Sequence, residues 1–175
     1  MAERKRLGFD PHKPIAIVLF GGQGSKVMAD IARRAPDTQM ILICGKNTRL
    51  AEQLRAMPAR VPRLVEGFTQ EIPYYMHVAD YMVGKPGPGS ISEAMIMGRP
   101  VIIERNSWTL VQERYNAEWV QERGVGIVLD NMSQIADGVS RMERGLTEFQ
   151  ANVAKIHNRA VFEIPDHLER ILASA

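Results

Sequence analysis

The stretch Ile15-Ala16-Ile17-Val18-Leu19-Phe20-Gly21-Gly22-Gln23-Gly24-Ser25 sets the reading of the whole chain. An unbroken apolar run ends in closely spaced glycines, and apolar residues at helical spacing follow from about 26 to 35. A run without polar alternation is the pattern of a strand covered on both faces. Glycines at its end suit a tight strand-to-helix turn. In doubly wound sheets the same place, outside the carboxyl end of a strand, binds ligands, and glycines let backbone amides approach a phosphate at a helix N-terminus. On this loop alone the conformational and the ligand-binding explanations stand level.

Outward from it, further short apolar runs at Met40 to Cys44, Leu64 to Val65, Tyr81 to Val83, Val101 to Glu104 and Gly126 to Leu129 read as strands, about six in all with the first. Segments near 48 to 57, 70 to 79, 90 to 98, 110 to 123 and 132 to 143 carry apolar residues at helical spacing. Strand and helix in alternation predict right-handed crossovers, hence an α/β fold with a Rossmann-like, doubly wound parallel sheet and helices on both faces. Residues 1–13 are polar, with Pro11 and Pro14 near the first strand, and read as a linker or junction. Residues 14–145 form the alternating domain. Residues 146–175 form a helical tail in which Val161, Phe162, Ile164, Leu168, Ile171 and Leu172 make an apolar set that must cover this sheet or a neighbouring domain.

The 175 residues are 45% hydrophobic and 24% charged, as in an ordinary globular domain, and suffice for one core. With 22 Lys and Arg against 20 Asp and Glu and no polybasic run, nucleic acid is not the expected partner. Cys44 is the single cysteine, so neither an internal disulfide nor a cysteine-rich metal site is expected, which fits a reducing cytoplasm. No stretch approaches the roughly 20 apolar residues of a membrane span. His12, His77, His157 and His167 are far apart and lack metal-ligand spacing, and no Asp-x-Asp offers itself to a divalent ion, so no metal and no cofactor is expected. Met95 and Met97 read as core.

A second glycine loop is more distinctive. After Tyr81-Met82-Val83 comes Gly84-Lys85-Pro86-Gly87-Pro88-Gly89-Ser90-Ile91-Ser92-Glu93 and then a helix. With Ser90 as helix cap, free amides and the positive end of the helix dipole point to the crevice, suiting a diphosphate without a metal. Glu93 then completes a capping box with Ser90, or accepts hydrogen bonds from both hydroxyls of a ribose; the two readings weigh equally. The first loop lacks the third spaced glycine of the dinucleotide fingerprint, and Cys44-Gly45-Lys46-Asn47 has no acidic residue to hold an NAD ribose. An NAD dehydrogenase is disfavoured.

The run from Lys85 to Ala94, with Gly98-Arg99-Pro100-Val101-Ile102-Ile103 and Gln112-Glu113-Arg114-Tyr115-Asn116 after it, resembles the carboxy-terminal half of bacterial monogalactosyldiacylglycerol synthases. These are family 28 glycosyltransferases, related to the lipid-linked N-acetylglucosaminyltransferases of peptidoglycan synthesis. The resemblance covers about residues 14 to 145. It implies the second half of a GT-B architecture, in which two Rossmann-like domains face each other, the amino-terminal one for the acceptor and the carboxy-terminal one for a UDP-sugar. Carried over by position, it assigns Gly22, Gln23, Gly24 and Ser25, together with Pro88, Gly89, Ser90 and Ile91, to the nucleotide phosphates and Glu93 to the ribose.

It also places Gly67-Phe68-Thr69 at the uracil, and Gln112 and Glu113 at the hexose, with Asn116 one turn further along the same helix face. Phe68 as a core residue, and Gln112 as a capping-box partner of Thr109 on an exposed helix start, stay open beside these roles. The implied activity is hexosyl transfer from UDP-galactose or UDP-glucose to a lipid such as diacylglycerol, by an enzyme peripheral to the inner face of the cell membrane. No catalytic base is identifiable. Two other readings are kept. One is a stand-alone sugar-nucleotide-binding subunit acting with a membrane-anchored partner; the other is a UDP-sugar epimerase on the same two-domain plan.

Overall fold

The computed structural model describes residues 1–107 and 109–174, with only the backbone of Ala160. Six parallel strands are β1 (Ile15–Leu19), β2 (Gln39–Ile43), β3 (Arg63–Glu66), β4 (Tyr81–Gly84), β5 (Val101–Glu104) and β6 (Gly126–Leu129), in the order β3-β2-β1-β4-β5-β6. Helices α2 (Val27–Arg34), α3 (Thr48–Ala56), α4 (Ile72–Val78), α5 (Pro88–Ile96), α6 (Val111–Glu122) and α7 (Ile135–Arg144) follow the strands in turn. Before them lies α1 (Ala2–Arg6), and after them α8 (Leu146–Val153) and α9 (Ala160–Ala173).

Successive side chains of a strand point to opposite faces, and β1 shows what that requires here. Ala16 and Val18 enter a core with α2, α3 and α7, whereas Ile15, Ile17 and Leu19 enter one with α4, α5 and α6. All five residues of β1, and all five of β2, are buried. That is why these strands read as continuous apolar runs, and it makes the sheet doubly wound. The chain builds outward from β1 to β3, then returns to the other side of β1 with β4. The carboxyl ends of β1 and β4 therefore flank the switch point at which such sheets bind ligands. There Gly84 is registered with Leu19, and a Cβ on Gly84 would stand 2.6 Å from the Leu19 carbonyl oxygen. Only a glycine lets the strand ends approach this closely.

Two expectations are corrected, and one alternative is decided. Residues 1–13, expected as a linker or junction, are folded onto the domain. α1 docks at the amino edge of the sheet, where Arg4 Nη2 meets Asp80 Oδ1 at 2.8 Å and Phe9 is buried. The other oxygen of Asp80 accepts the Ile15 amide at 2.8 Å, and the Gln39 side chain accepts the Asp10 amide at 2.7 Å. These partners lie far away in sequence, so local polarity could not reveal them. α5 begins at Pro88 with Gly87 as its cap, two residues before the expected start, because proline is pre-shaped for the first helical position. Of the two alternatives for the apolar set of α9, this sheet is not the one it covers: Val161 is 80% and Phe162 69% exposed, and Ile164, Leu168, Ile171 and Leu172 are each more than half exposed.

Candidate functional site

Two clefts open at the carboxyl edge, and the same two loops wall both. The first, about 230 Å³, lies between Gly21, Gly22 and Gly45 on one side and Ser90 and Glu93 of α5 on the other, with Phe68, Thr69 and Ile72 closing its end. The second, about 350 Å³, is lined by Ser25, Lys85, Glu104, Asn106 and Glu113 among others. A third cavity of about 400 Å³ lies against another face of α5, between Ile91, Met95, Trp119 and Ile156. It holds neither Ser90 nor Glu93 and faces away from the switch point.

Backbone conformation shapes the first loop. Gly21 and Gly24 have φ of +78° and +60°, which side chains rarely tolerate. A Cβ on Gly24 would come within 2.6 Å of the Cys44 carbonyl. The Gly22 carbonyl accepts the Lys46 amide at 2.8 Å, and the Gln23 carbonyl accepts Asn47 Nδ2 at 3.4 Å. Thus β1 and β2 hand their loops to each other. Ser25 Oγ accepts the Val27 amide at 3.3 Å, a local turn just before α2.

The second loop presents fewer amides than its sequence promised. Pro88 has no N–H, and the Ile91 amide is spent on the Gly87 carbonyl at 3.1 Å while its side chain is core. Pro88 and Ile91 are therefore not phosphate donors; Gly89 and Ser90 supply the amides at the positive end of α5. No side-chain cap forms at this end, which removes the capping-box explanation of Glu93. Glu93 stands one turn from Ser90 and lines the first cleft with it. Phe68 is not core: it is 63% exposed on the rim, with Lys46 Nζ 5.6 Å from its ring centroid.

On α6 the expected group divides. Glu113 lines the second cleft, its side chain only 12% exposed, and Lys85 Nζ lies 3.5 Å from its Oε1. Gln112 is exposed beside it and lines neither cleft; Thr109 does not box with it, because the Thr109 hydroxyl accepts the Asn106 amide at 2.9 Å. Asn116 Nδ2 donates to the Pro86 carbonyl at 2.9 Å, and the residue lines the third cavity. Sequence reasoning missed Lys85, Glu104, Asn106 and Gly45 as parts of the site. The glycine two residues after β2 was the available signal for the last; the first three needed the fold. Among the described residues no three His, Cys, Asp or Glu side chains gather as a metal site would need, and no helix is long and apolar enough to cross a membrane.

A doubly wound parallel sheet with a switch-point cleft walled by two glycine loops defines a domain of the Rossmann-like class, here with the fold of one half of a GT-B glycosyltransferase. The chain belongs to the glycosyltransferase family 28 C-terminal domain family, whose model matches residues 16–171. It is 33% identical over 185 residues to the chloroplastic monogalactosyldiacylglycerol synthase of Spinacia oleracea, covering 97% of this chain and 35% of that protein. It is 30% identical to a probable monogalactosyldiacylglycerol synthase 2 of Oryza sativa subsp. indica, covering 96% of this chain and 39% of the relative. The chain thus spans little more than a third of these relatives. Among solved structures, it superposes on MurG of Acinetobacter baumannii with a TM-score of 0.73 at 15% identity, over 95% of this chain and 52% of that one. It superposes on Os79 of O. sativa in complex with UDP with a TM-score of 0.66 at 13% identity, over 86% of this chain and 37% of the other.

Proposed function

We propose that this chain is the donor-binding domain of a glycosyltransferase that moves a hexose from UDP-galactose or UDP-glucose to a lipid acceptor such as diacylglycerol. The observation that carries the reading is the facing of Ser90 and Glu93 with Gly21 and Gly22 across one cleft. The nucleotide lies in that cleft with its ribose at Glu93 and its base against Phe68. Its diphosphate lies between the loops, at the amides of Gly89 and Ser90. The hexose extends into the second cleft, where Glu113, Glu104 and Asn106 offer donors and acceptors to its hydroxyls. The names of the curated relatives and the UDP complex of Os79 support the donor and acceptor classes.

The chemical contribution of this half is to stabilise charge that develops on the departing UDP. Oriented amides and a helix dipole act in place and need no reorganisation at the moment of bond breaking. The acceptor and its base belong to another domain or subunit, and the uncovered apolar side chains of α9 favour such a partner, on the same chain or a separate one. The assembled enzyme is peripheral to the inner face of the cell membrane. Calorimetric titration with UDP, UDP-hexoses, GDP-mannose and ADP-glucose, with and without EDTA, tests the donor site. UDP-hexose binding in EDTA is expected; binding only of another nucleotide, or only with a divalent ion, refutes it. Hexosyl transfer to diacylglycerol in micelles by these 175 residues alone would overturn the half-site reading.

A further inference from the structure

We infer that Asn116 is a positioning residue for the phosphate amides, and not a ligand of the hexose. The inference deepens the donor-site reading above and rests on it. Asn116 and Glu113 lie three apart on α6 and share a flank of the helix, yet they go to different places. Glu113 lines the second cleft, whereas Asn116 lines the third cavity, and its amide donates to the Pro86 carbonyl at 2.9 Å.

That carbonyl is a sensitive point. Pro86 and Pro88 carry no amide, so the segment approaching α5 has few donors with which to hold itself. The first intrahelical bond runs from the Ile91 amide to the Gly87 carbonyl, one residue beyond Pro86. Pro86 and Gly87 are both buried, and an unpaired buried carbonyl is costly. Asn116 therefore satisfies the last carbonyl before the helix cap and fixes the direction in which the Gly89 and Ser90 amides emerge. The Lys85–Glu113 ion pair at 3.5 Å is a second tie between the same loop and the same helix. It is long and half-exposed on the lysine side, so it is the weaker of the two. Through Asn116, α6 holds the diphosphate subsite and the sugar subsite in fixed register.

Two variants test this: Asn116→Ala, which removes the donor, and Asn116→Leu, which removes it but keeps the bulk. Uridine, UDP and a UDP-hexose are titrated against each, and hydrogen exchange is followed in the ligand-free chain at the Ile91 amide, which donates to the Gly87 carbonyl at 3.1 Å. UDP and UDP-hexose should weaken by the same factor, roughly tenfold for one lost hydrogen bond, with uridine unchanged and exchange at the Ile91 amide faster. Loss confined to the UDP-hexose would make Asn116 a sugar ligand and overturn the inference. Equal loss of uridine would reduce it to a general fold residue. If the unaltered chain binds no UDP, the donor-site reading fails by itself. The exchange rate then still decides Asn116: an unchanged rate at Ile91 would show that it positions nothing.

Discussion

Gly45 approaches Gly22 so closely that a Cβ on Gly45 would overlap the Gly22 carbonyl oxygen, the same oxygen that accepts the Lys46 amide at 2.8 Å. Gly45 also has φ +59°. Gly45→Ala meets both a left-handed backbone and a clash with backbone, and should cost about 2 to 4 kcal/mol. It should also push the first loop out of line. Thermal unfolding and UDP titration should both show the loss; an alanine variant with native melting and native affinity would refute the tight coupling of the β1 and β2 loops.

Glu93 makes no cap, so its removal should be silent for stability and costly for the ligand. Glu93→Gln keeps the shape and loses the charge-assisted acceptor, and UDP affinity should fall by about 1 to 3 kcal/mol with the melting temperature unchanged. Unchanged affinity would remove Glu93 from the ribose.

Glu113 and Gln112 should separate, although they are neighbours. Glu113→Ala should weaken a UDP-hexose by about 1 to 3 kcal/mol while largely sparing UDP, because a polar partner in the second cleft is lost. Gln112→Ala should have the smaller effect, since Gln112 is exposed and lines neither cleft. Paired titrations of UDP and UDP-hexose check this, and a larger loss at Gln112 would reverse the assignment.

At the amino edge, far from the clefts, the fully buried Tyr81 donates to Glu143 Oε1 at 3.1 Å. Burial pushes the Glu143 carboxyl above its ordinary range, outweighing the lowering by the tyrosine hydrogen bond. A carboxyl raised on folding contributes stability while protonated and loses it as pH rises through its folded value. At pH 7 ionised Glu143 is therefore a burden, and Glu143→Gln, which still accepts from Tyr81, should melt higher than the parent. The advantage should shrink as pH falls to 4. Melting curves from pH 4 to 8 decide it, and a variant less stable at pH 7 would contradict the sign.

The α9 side chains are largely exposed, so the domain should not need them. Truncation after Arg159 should move the melting temperature by no more than about 2 °C. A larger drop would show that α9 supports this domain in solution.

The alternation of strand and helix was legible in the residues themselves, because a strand buried on both faces must be apolar throughout and a surface helix must repeat its apolar face. β5 and β6 match their expected limits, β1 and β4 differ by one residue at one end, and β2 and β3 by one residue at each end. The two glycine loops were legible for a similar local reason: each follows a strand, and glycine is required where the backbone turns or approaches another. Glu93, Glu113 and Ser90 could be named, but not told from caps, since capping and binding use the same residue types at the same spacing.

That distinction belonged to the tertiary structure. Gly87 and Pro88 took the start of α5, which freed Glu93; Ile91 went to the core, and Phe68 stayed out of it. Asn116 found Pro86, 30 residues away, and Asp80 found Arg4 across 76. Sequence periodicity reports which face of an element is buried, because burial recurs every turn. It carries no record of single contacts between distant loops, because each depends on one crossing of the chain.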